Sequence, residues 1–496
     1  MTTNGADPHP ASAEVAFAGV DALADALAEG KTSSVELCET LLGRIAALDA
    51  AGPELRAVLA LSASALDEAR ALDAERAVGS VRGPLHGVPV LVKDNVEVDG
   101  LPACAGSLAL DDRPAVRDAP IVSRLRAAGL VVLGSTNLSE WANIRSSAST
   151  SGWSGRGGLT GNPWALDRSA GGSSSGSGAA VAAGLSPLAI GTETDGSITC
   201  PASLNGCVGL KPTVGLLPVE GIVPISGSQD APGPMARSVR DAALLLDALT
   251  GEAGHADGCG TLGPEALRLS VPTAWVTGRA DTDAMFSGVV EGLGAAGAAI
   301  ADADVPDGAS VGADELTVLL CELHDDLDAY LSARPGAGVR SLADVVAFNA
   351  EHADVELAHF GQDLLEAALA TAGRADDAYA GARERCLAWA VGALESALAD
   401  ADALVAPVFP PAWKSDLVGG DQPSGGGRAS SAPSIAGWPV LALPMGLVHG
   451  LPVGLMLIGR PRSEARLLAI GDAIERHLGL VETGALLPSW RPPARG

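Results

Sequence analysis

Apolar positions in the first part of the chain alternate between helical and strand spacing. They recur with a helical period over Val35–Leu48, and Ser33 can cap the first turn of that helix. A second helix is predicted over Pro53–Val78. The uninterrupted run Val88–Val92 is short and rich in β-branched residues, as expected of a strand that is buried on both faces. The pattern therefore predicts helices and strands that follow one another along the chain.

This alternation continues to the C-terminus and predicts the α/β class, in which helices pack against a sheet. Further helical patterns cover Ile121–Ala128, Ala242–Leu249, Met285–Ala295, Ser463–His477 and most of residues 315–400. Further strand patterns cover Leu130–Gly134, Leu269–Val276, Ala403–Val408, Val440–Leu443 and Val453–Ile458. Because the sequence has no internal repeat and no clear linker, we expect residues 1–496 to form one large domain, with residues 1–12 as a frayed tail.

Two polar segments interrupt the periodic pattern. Residues 139–170 are rich in Ser, Gly and Trp, and a loop of that length without regular structure is usually functional or disordered. The tryptophans of this segment make disorder the poorer explanation. Residues 416–430 are rich in glycine and are predicted to be the most flexible segment of the chain.

Composition and charge exclude several classes of partner. The chain is 47% hydrophobic, yet no apolar stretch reaches the roughly 18 residues that a membrane-spanning helix needs. The N-terminal residues lack the basic and apolar regions of an export signal, and seven scattered cysteines do not suggest a disulfide framework, so we expect a cytoplasmic protein. A formal charge of −28 repels nucleic-acid phosphates and anionic lipids. Neither nucleic acid nor a membrane is therefore expected as a partner.

The segment Gly171–Pro201 carries the strongest chemical signal in the sequence. It contains two Gly/Ser-rich clusters, the first beginning with Ser173 and the second placing Ser197 after Thr-Asp-Gly, and an apolar helix-like run and a strand-like run separate them. Such a layout can bring two hydroxyl groups together at one end of a sheet, where successive N–H groups of the Gly-containing turn could stabilise an oxyanion. Taken alone, Ser197 is equally consistent with a plain strand-to-helix turn, and a phosphate-binding loop is a weaker alternative.

Lys93 is the candidate base for these hydroxyl groups. It is one of only four lysines, and it directly follows the predicted buried strand. Burial lowers the pKa of a lysine, and a neutral amine can accept a proton from a serine hydroxyl, which arginine cannot do. A structural lysine paired with Asp94 is the alternative. The sequence contains no HExxH and no CxxC motif, so a metal site is not expected.

Several motifs, in order along almost the whole chain, resemble the amidase signature family, and most closely its peptide amidases. The matching segments are PLHGVPVLVKDN, TNLSEWANIRSSASTSGWSGRGG, GGSSSGSGAAVAAG, GTETDGSITCPAS, GIVPISGSQDAPGPMARSVRDAA and AGWPVLALPMG. This resemblance implies an α/β/α sandwich with a large mixed central β-sheet. It also implies a serine amidohydrolase that needs no cofactor, no metal and no obligatory protein partner, and that acts on a small-molecule amide or a short-peptide amide.

The resemblance assigns a role to each site residue. Ser197 matches the nucleophile, Ser173 the bridging serine after a cis peptide bond, and Lys93 the base of a Ser–Ser–Lys triad. The backbone N–H groups of Thr194, Asp195, Gly196 and Ser197 match the oxyanion hole, and Ser149 is assigned to substrate binding.

Two alternatives to a free-standing amidase remain open at this point. One is the amidase subunit of a tRNA-dependent amidotransferase, which works with partner chains; the acidic surface and the peptide-amidase-like loop argue against it. The other is a non-catalytic amide-binding protein, which the complete set of triad residues disfavours.

Overall fold

The fold is organised around one large sheet in a computed structural model that describes residues 13–490 except 111–113, 307, 309–310, 336–337, 428 and 482. The expected frayed tail, residues 1–12, lies outside the described residues. The strands are β1 Val58–Leu61, β2 Pro89–Lys93, β3 Val131–Thr136, β4 Trp153–Ser154, β5 Gly158–Leu159, β6 Gly161–Asn162, β7 Ala165–Ser169, β8 Leu188–Glu193, β9 Val208–Lys211, β10 Ala231–Ala236, β11 Arg268–Pro272, β12 Ala299–Ala303, β13 Ala403–Pro407, β14 Val440–Val448 and β15 Leu451–Ile458. The helices are α1 Ala13–Ala16, α2 Val20–Ala28, α3 Ser34–Arg44, α4 Ala65–Ala77, α5 Pro120–Ala127, α6 Ser175–Ala182, α7 Thr199–Asn205, α8 Val239–Thr250, α9 Ala280–Ala295, α10 Val311–Ala333, α11 Leu342–Glu351, α12 Asp363–Leu369, α13 Tyr379–Leu398, α14 Ser431–Ile435 and α15 Glu464–Leu478.

The central sheet has 11 strands in the order β1-β3-β2-β8-β10-β9-β14-β15-β13-β11-β12. Strand β2 pairs in parallel with both β3 and β8, and β11 pairs in parallel with β12 and β13. The remaining neighbours pair antiparallel, so the sheet is mixed. The predicted α/β class with a large mixed central sheet is therefore confirmed.

Apolar cores cover both faces of this sheet. Along β2, Val90 and Val92 belong to one buried cluster, whereas Leu91 belongs to the cluster on the other side. The first cluster includes residues of α2, α5, α8 and α15, and the second includes residues of α3, α4, α6 and α13. Since side chains of a strand alternate between its faces, this division gives the sandwich architecture and explains why β2 is uninterruptedly apolar up to Lys93.

Most predicted elements agree with the structure, but two predictions were wrong. The helix predicted over Pro53–Val78 is helical only from Ala65, and its first half contains strand β1, which pairs antiparallel with β3 at the edge of the sheet. Pairing with a neighbouring strand thus overrides the local helical pattern. The segment 139–170, expected to be a loop without regular structure, contains two small antiparallel strand pairs, β4 with β5 and β6 with β7.

Helices α10 to α12 form a smaller apolar core of their own. This core joins them to the loop segments around Ala105, Trp141 and Val223. Residues 416–430, as far as they are described, contain no helix or strand, and their flexibility stays a prediction. In the described part of the chain, no helix combines the length and the apolar character needed to cross a membrane.

Candidate active site

Lys93 is buried at the end of β2 and contacts the first serine cluster. Its side chain is fully buried, and Nζ lies 2.8 Å from Ser173 Oγ. Nζ also donates hydrogen bonds to the carbonyl oxygen of Thr192 at 3.2 Å and to its hydroxyl group at 2.9 Å. Burial lowers the pKa of Lys93 to about 7, although the charges of Asp230 and Glu193 act in the opposite direction. A substantial fraction of the amine is therefore neutral near pH 7.

Ser173 lies just before α6, and its backbone and side chain face different neighbours. The Gly172–Ser173 peptide bond is cis, as the family resemblance implies. The carbonyl oxygen of Ser173 accepts a hydrogen bond from Ser139 N at 3.1 Å, whereas its fully buried hydroxyl group contacts Lys93. Close packing also explains Gly172, because a Cβ atom there would lie 2.2 Å from Ser139 Oγ.

Ser197 lies in the turn between β8 and α7, next to the first serine cluster. Its carbonyl oxygen accepts a hydrogen bond from Ser174 N at 3.0 Å, which joins the two clusters directly. The preceding Gly196 has φ +78°, a left-handed conformation that favours glycine. The structure thus brings Lys93, Ser173 and the Ser197 turn together at one end of the central strands, where β2 and β8 end.

The turn Thr194–Ser197 has free backbone N–H groups, whereas the two residues that follow it donate hydrogen bonds. Within the described residues, none of its four backbone N–H groups donates a hydrogen bond to a backbone or side-chain acceptor. On its C-terminal side, the buried carboxylate of Glu193 accepts hydrogen bonds from Ile198 N at 2.7 Å and Thr199 N at 2.9 Å. Free N–H groups in one fixed turn can stabilise a negatively charged oxygen.

Side chains from other segments fix this turn. Thr194 Oγ1 donates to Asp230 Oδ1 at 2.6 Å, and Gln229 Nε2 lies 3.4 Å from the carbonyl oxygen of Thr194. Asp195 accepts a hydrogen bond from Ser431 Oγ at 2.8 Å. Burial raises the pKa of Asp230 to about 6, while its hydrogen bond from Thr194 counteracts this increase. These contacts hold the Thr194–Ser197 turn in place from two neighbouring segments of the chain.

The structure places Ser149 apart from these contacts. Its hydroxyl group donates to the carbonyl oxygen of Asn143 at 3.2 Å, and its side chain is only partly buried. Its role in substrate binding stays a prediction. Sequence reasoning missed Thr192, the hydrogen-bond partner of Lys93, and Asn95, whose Nδ2 donates to Thr192 Oγ1 at 3.0 Å. The only sequence signal for Thr192 was its place in the segment GTETDGS.

A cavity of about 320 Å³ adjoins this site. Thr192, Thr194 and Asp230 contribute to its wall, and apolar residues of the loop around Ile222 form much of the remainder. Its size suits a small organic group. Within the described residues, no group of three or more His, Cys, Asp or Glu side chains is arranged to hold a metal ion.

Comparison with known proteins identifies relatives over nearly the whole chain. The sequence profile of the amidase family matches residues 36–468. The native peptide amidase from Stenotrophomonas maltophilia is 44% identical and superimposes with a TM-score of 0.87, covering 93% of this chain and 96% of that protein. A glutamyl-tRNA(Gln) amidotransferase subunit from Symbiobacterium thermophilum is 34% identical, over 90% of this chain and 94% of its own length. A probable amidase from Arabidopsis thaliana is 35% identical, over 90% of this chain and 87% of its own length.

Proposed function

The chain belongs to the amidase signature family and is an amide-hydrolysing enzyme, and we propose that it acts through a Ser–Ser–Lys triad and an acyl-enzyme. The products would be a carboxylate and ammonia. The observation that carries this proposal is the 2.8 Å contact between the buried Nζ of Lys93 and Ser173 Oγ. A lysine with a pKa of about 7 can take up a proton that arginine in its place could not.

In the first half of the reaction, a proton moves along the triad. Neutral Lys93 accepts the proton of the Ser173 hydroxyl group while Ser173 accepts that of Ser197. The oxygen of Ser197 then attacks the carbonyl carbon of the amide. The negative charge that develops on the carbonyl oxygen is stabilised by N–H groups of the Thr194–Ser197 turn, each worth about 3–4 kcal/mol in comparable sites.

In the second half, the same groups return the proton. Collapse of the tetrahedral intermediate breaks the C–N bond, and the departing nitrogen takes the proton through Ser173, so that it leaves as ammonia. Water then attacks the acyl-enzyme, with Ser173 and Lys93 accepting its proton, and Ser197 is released as a hydroxyl group. Every proton in this cycle is carried by residues of the chain, so we propose that the enzyme needs neither a metal nor an organic cofactor.

For the substrate, we propose small carboxamides or the C-terminal amides of short peptides. The 44% identity to a peptide amidase supports this choice over the amidotransferase function, whose relatives are 34–35% identical. We also propose that the enzyme works without an obligatory protein partner and in the cytoplasm. Ammonia release that requires added amidotransferase subunits would contradict the first of these two proposals.

Ammonia release from a panel of amides tests the mechanism. The panel contains aliphatic amides, aryl amides and peptide amides, and the variants are Ser197→Ala, Ser173→Ala and, as a control, Ser287→Ala on the outer helix α9. We expect the wild type and the control to release ammonia at the same rate and both triad variants to lose at least about a thousandfold in kcat. Full activity of Ser197→Ala would exclude it as the nucleophile.

A further inference from the structure

Helix α10 directs carboxylates toward the loop that holds the candidate oxyanion turn. Glu322 accepts a hydrogen bond from Ser228 N at 3.0 Å, and one helical turn further Asp326 accepts one from Gly227 N at 2.9 Å. Residues four positions apart lie on the same face of a helix. One face of α10 therefore binds the backbone of the loop 225–230, which contains the residues that contact Thr194.

Glu315 lies two turns before Glu322 on the same face of α10 and reaches the turn through one side chain. Its Oε1 accepts a hydrogen bond from Gln229 Nε2 at 3.1 Å. The same Nε2 lies 3.4 Å from the carbonyl oxygen of Thr194. Glu315 and Gln229 are 9% and 2% exposed, so water competes little for these hydrogen bonds. The carboxyl group of Glu315 is thus connected to the turn although it lies outside the triad.

The carbonyl oxygen of Thr194 controls the direction of the next N–H group. In a trans peptide the C=O and the N–H point to opposite sides of one rigid plane. A hydrogen bond that fixes the oxygen of Thr194 on one side therefore fixes the N–H of Asp195 on the other. Among the described residues this N–H has no acceptor, as an oxyanion donor requires.

We propose that Glu315 is a positioning residue of the oxyanion hole, which acts through Gln229 to hold the Thr194–Asp195 peptide in its orientation. This inference rests on the proposed function. Gln229 has one carboxamide nitrogen for both acceptors, and without the acceptor at Glu315 it can rotate away from Thr194. The N–H of Asp195 would then lose its fixed direction toward the developing charge, whereas substrate binding in the ground state would change little.

Two substitutions at Glu315 test this role. Glu315→Gln keeps an acceptor oxygen for Gln229, and Glu315→Met keeps the length of the side chain but removes the acceptor. With the panel amide that the wild type hydrolyses fastest, we expect Glu315→Met to lower kcat about tenfold with KM within about twofold, and Glu315→Gln to keep kcat within about twofold. The matched control is Asp314→Asn, which removes the charge that Asp314 contributes to its ion pair with Arg385 of α13 and should leave kcat unchanged.

A double variant separates positioning from direct contact with substrate. If Glu315 acts only through Gln229, then Glu315→Met combined with Gln229→Met should be no slower than Gln229→Met alone. Additive losses, or a Glu315→Gln variant as slow as Glu315→Met, would overturn the proposal and favour a direct role of the carboxylate. Should Glu315→Met fail to fold, Gln229→Met tests the same connection from its other end and should give the same kcat loss.

Amide hydrogen exchange gives a readout that does not depend on turnover. In Glu315→Met, the N–H groups of Ile198 and Thr199, which donate to Glu193 at the end of the turn, should exchange several-fold faster than in the wild type, while α15 exchanges at an unchanged rate. Unchanged exchange at these two residues would overturn the inference. If the wild type hydrolyses no amide, the proposed function fails, and the exchange rates still decide whether Glu315 orders the turn.

Discussion

Lys93 and Thr192 are joined by two hydrogen bonds, from Lys93 Nζ to the Thr192 carbonyl oxygen at 3.2 Å and to the Thr192 hydroxyl group at 2.9 Å. A neutral amine has two N–H donors and one lone pair. With both donors directed at Thr192, the lone pair is left for the hydroxyl group of Ser173, 2.8 Å away. The protonated amine has three acceptors in these surroundings, and the neutral amine has two acceptors and one hydroxyl donor, so this arrangement allows a proton to pass between Lys93 and Ser173.

The first prediction concerns the need for a neutral side chain at position 93. Lys93→Arg keeps a long basic side chain, but a guanidinium group is always protonated and has no lone pair to accept a proton. We expect kcat to fall by at least about a thousandfold, comparable to Lys93→Met. Circular dichroism should show folded protein for both variants. Retention of a tenth of the wild-type rate in Lys93→Arg would contradict a proton-accepting role.

The second prediction is a rate that falls on the acid side of pH 7. Because burial lowers the pKa of Lys93 to about 7, the neutral fraction decreases roughly tenfold per pH unit below that value. We expect kcat/KM to fall in the same way below pH 7 and to level off at higher pH. Two buried carboxyl groups near the turn also titrate close to this range, because burial raises the pKa of Asp230 to about 6 and that of Glu315 to about 8. Because the charge of Asp230 raises the pKa of Lys93, Asp230→Asn should lower the rate and also move its fall to lower pH.

Lys93 should also lower the stability of the fold, which gives the third prediction. Its pKa is about 7 when folded and 10.5 ordinarily, so between these values unfolding takes up a proton. The cost of keeping Lys93 neutral thus grows as the pH falls from 10.5 to 7 and is constant below that. Lys93→Met avoids this cost, and we expect it to be more stable at pH 7 by on the order of a few kcal/mol.

Urea unfolding at pH 7 and pH 9 can measure this difference. The gain in stability of Lys93→Met over the wild type should be smaller at pH 9 than at pH 7. Lys211 is a second buried lysine with which the stability effect of Lys93 can be compared. It is also fully buried, and burial lowers its pKa to about 8. Its Nζ donates hydrogen bonds to the carbonyl oxygens of Pro212 and Trp438 instead of contacting a serine hydroxyl group. A loss of stability in Lys93→Met at pH 7 would contradict the prediction.

The sequence singled out the segments of Lys93, Ser173 and Ser197, which the structure places together, because their signals are local. The apolar strand before Lys93 and the Gly/Ser clusters around Ser173 and Ser197 each lie within a few residues of the group that they position. The contacts of Glu315 and Thr192 could not be found in this way, because they depend on how α10 and β2 pack against the Thr194–Ser197 turn. Strand β1 was missed for the same reason, since only its pairing with β3 defines it.

The fourth prediction concerns the left-handed backbone at Gly196. A Cβ atom at this position would have open space, with Ser430 Oγ 3.9 Å away as its nearest neighbour. The cost of Gly196→Ala therefore arises from φ +78° rather than from a clash, and it should be about 1 kcal/mol of unfolding free energy. If the turn relaxes, its N–H groups move, so kcat should fall more than KM changes. An unchanged kcat would show that the turn tolerates this strain without loss of its donors.

A buried cluster of charged groups connects the segment 139–170 to the helices around α11 and α12. Arg145 donates to Glu140 Oε1 at 2.7 Å and to the carbonyl oxygen of Glu356, and its guanidinium group lies 4.0 Å from the centre of the Phe360 ring. Glu356 Oε2 lies 3.7 Å from a guanidinium nitrogen of Arg145, so two carboxyl groups share one buried guanidinium group. Burial, and next the charge of Glu356, raise the pKa of Glu140 well above its usual range. A proton on Glu140 would remove its repulsion with Glu356.

The fifth prediction follows from the hydrogen bonds of Glu356 in this cluster. Its Oε1 accepts from Leu108 N at 2.7 Å, whereas its buried Oε2 accepts from no described group and lies beside Glu140. In Glu356→Gln, the amide oxygen can keep the bond from Leu108 while the NH₂ group donates to Glu140. We therefore expect a change in unfolding free energy below about 1 kcal/mol. Arg145→Met instead leaves buried carboxylate charge without its cation and should cost about 3–5 kcal/mol. Chemical denaturation of both variants at pH 7 measures this contrast, and a Glu356→Gln variant as unstable as Arg145→Met would contradict the expectation that Glu140 is protonated in the folded protein.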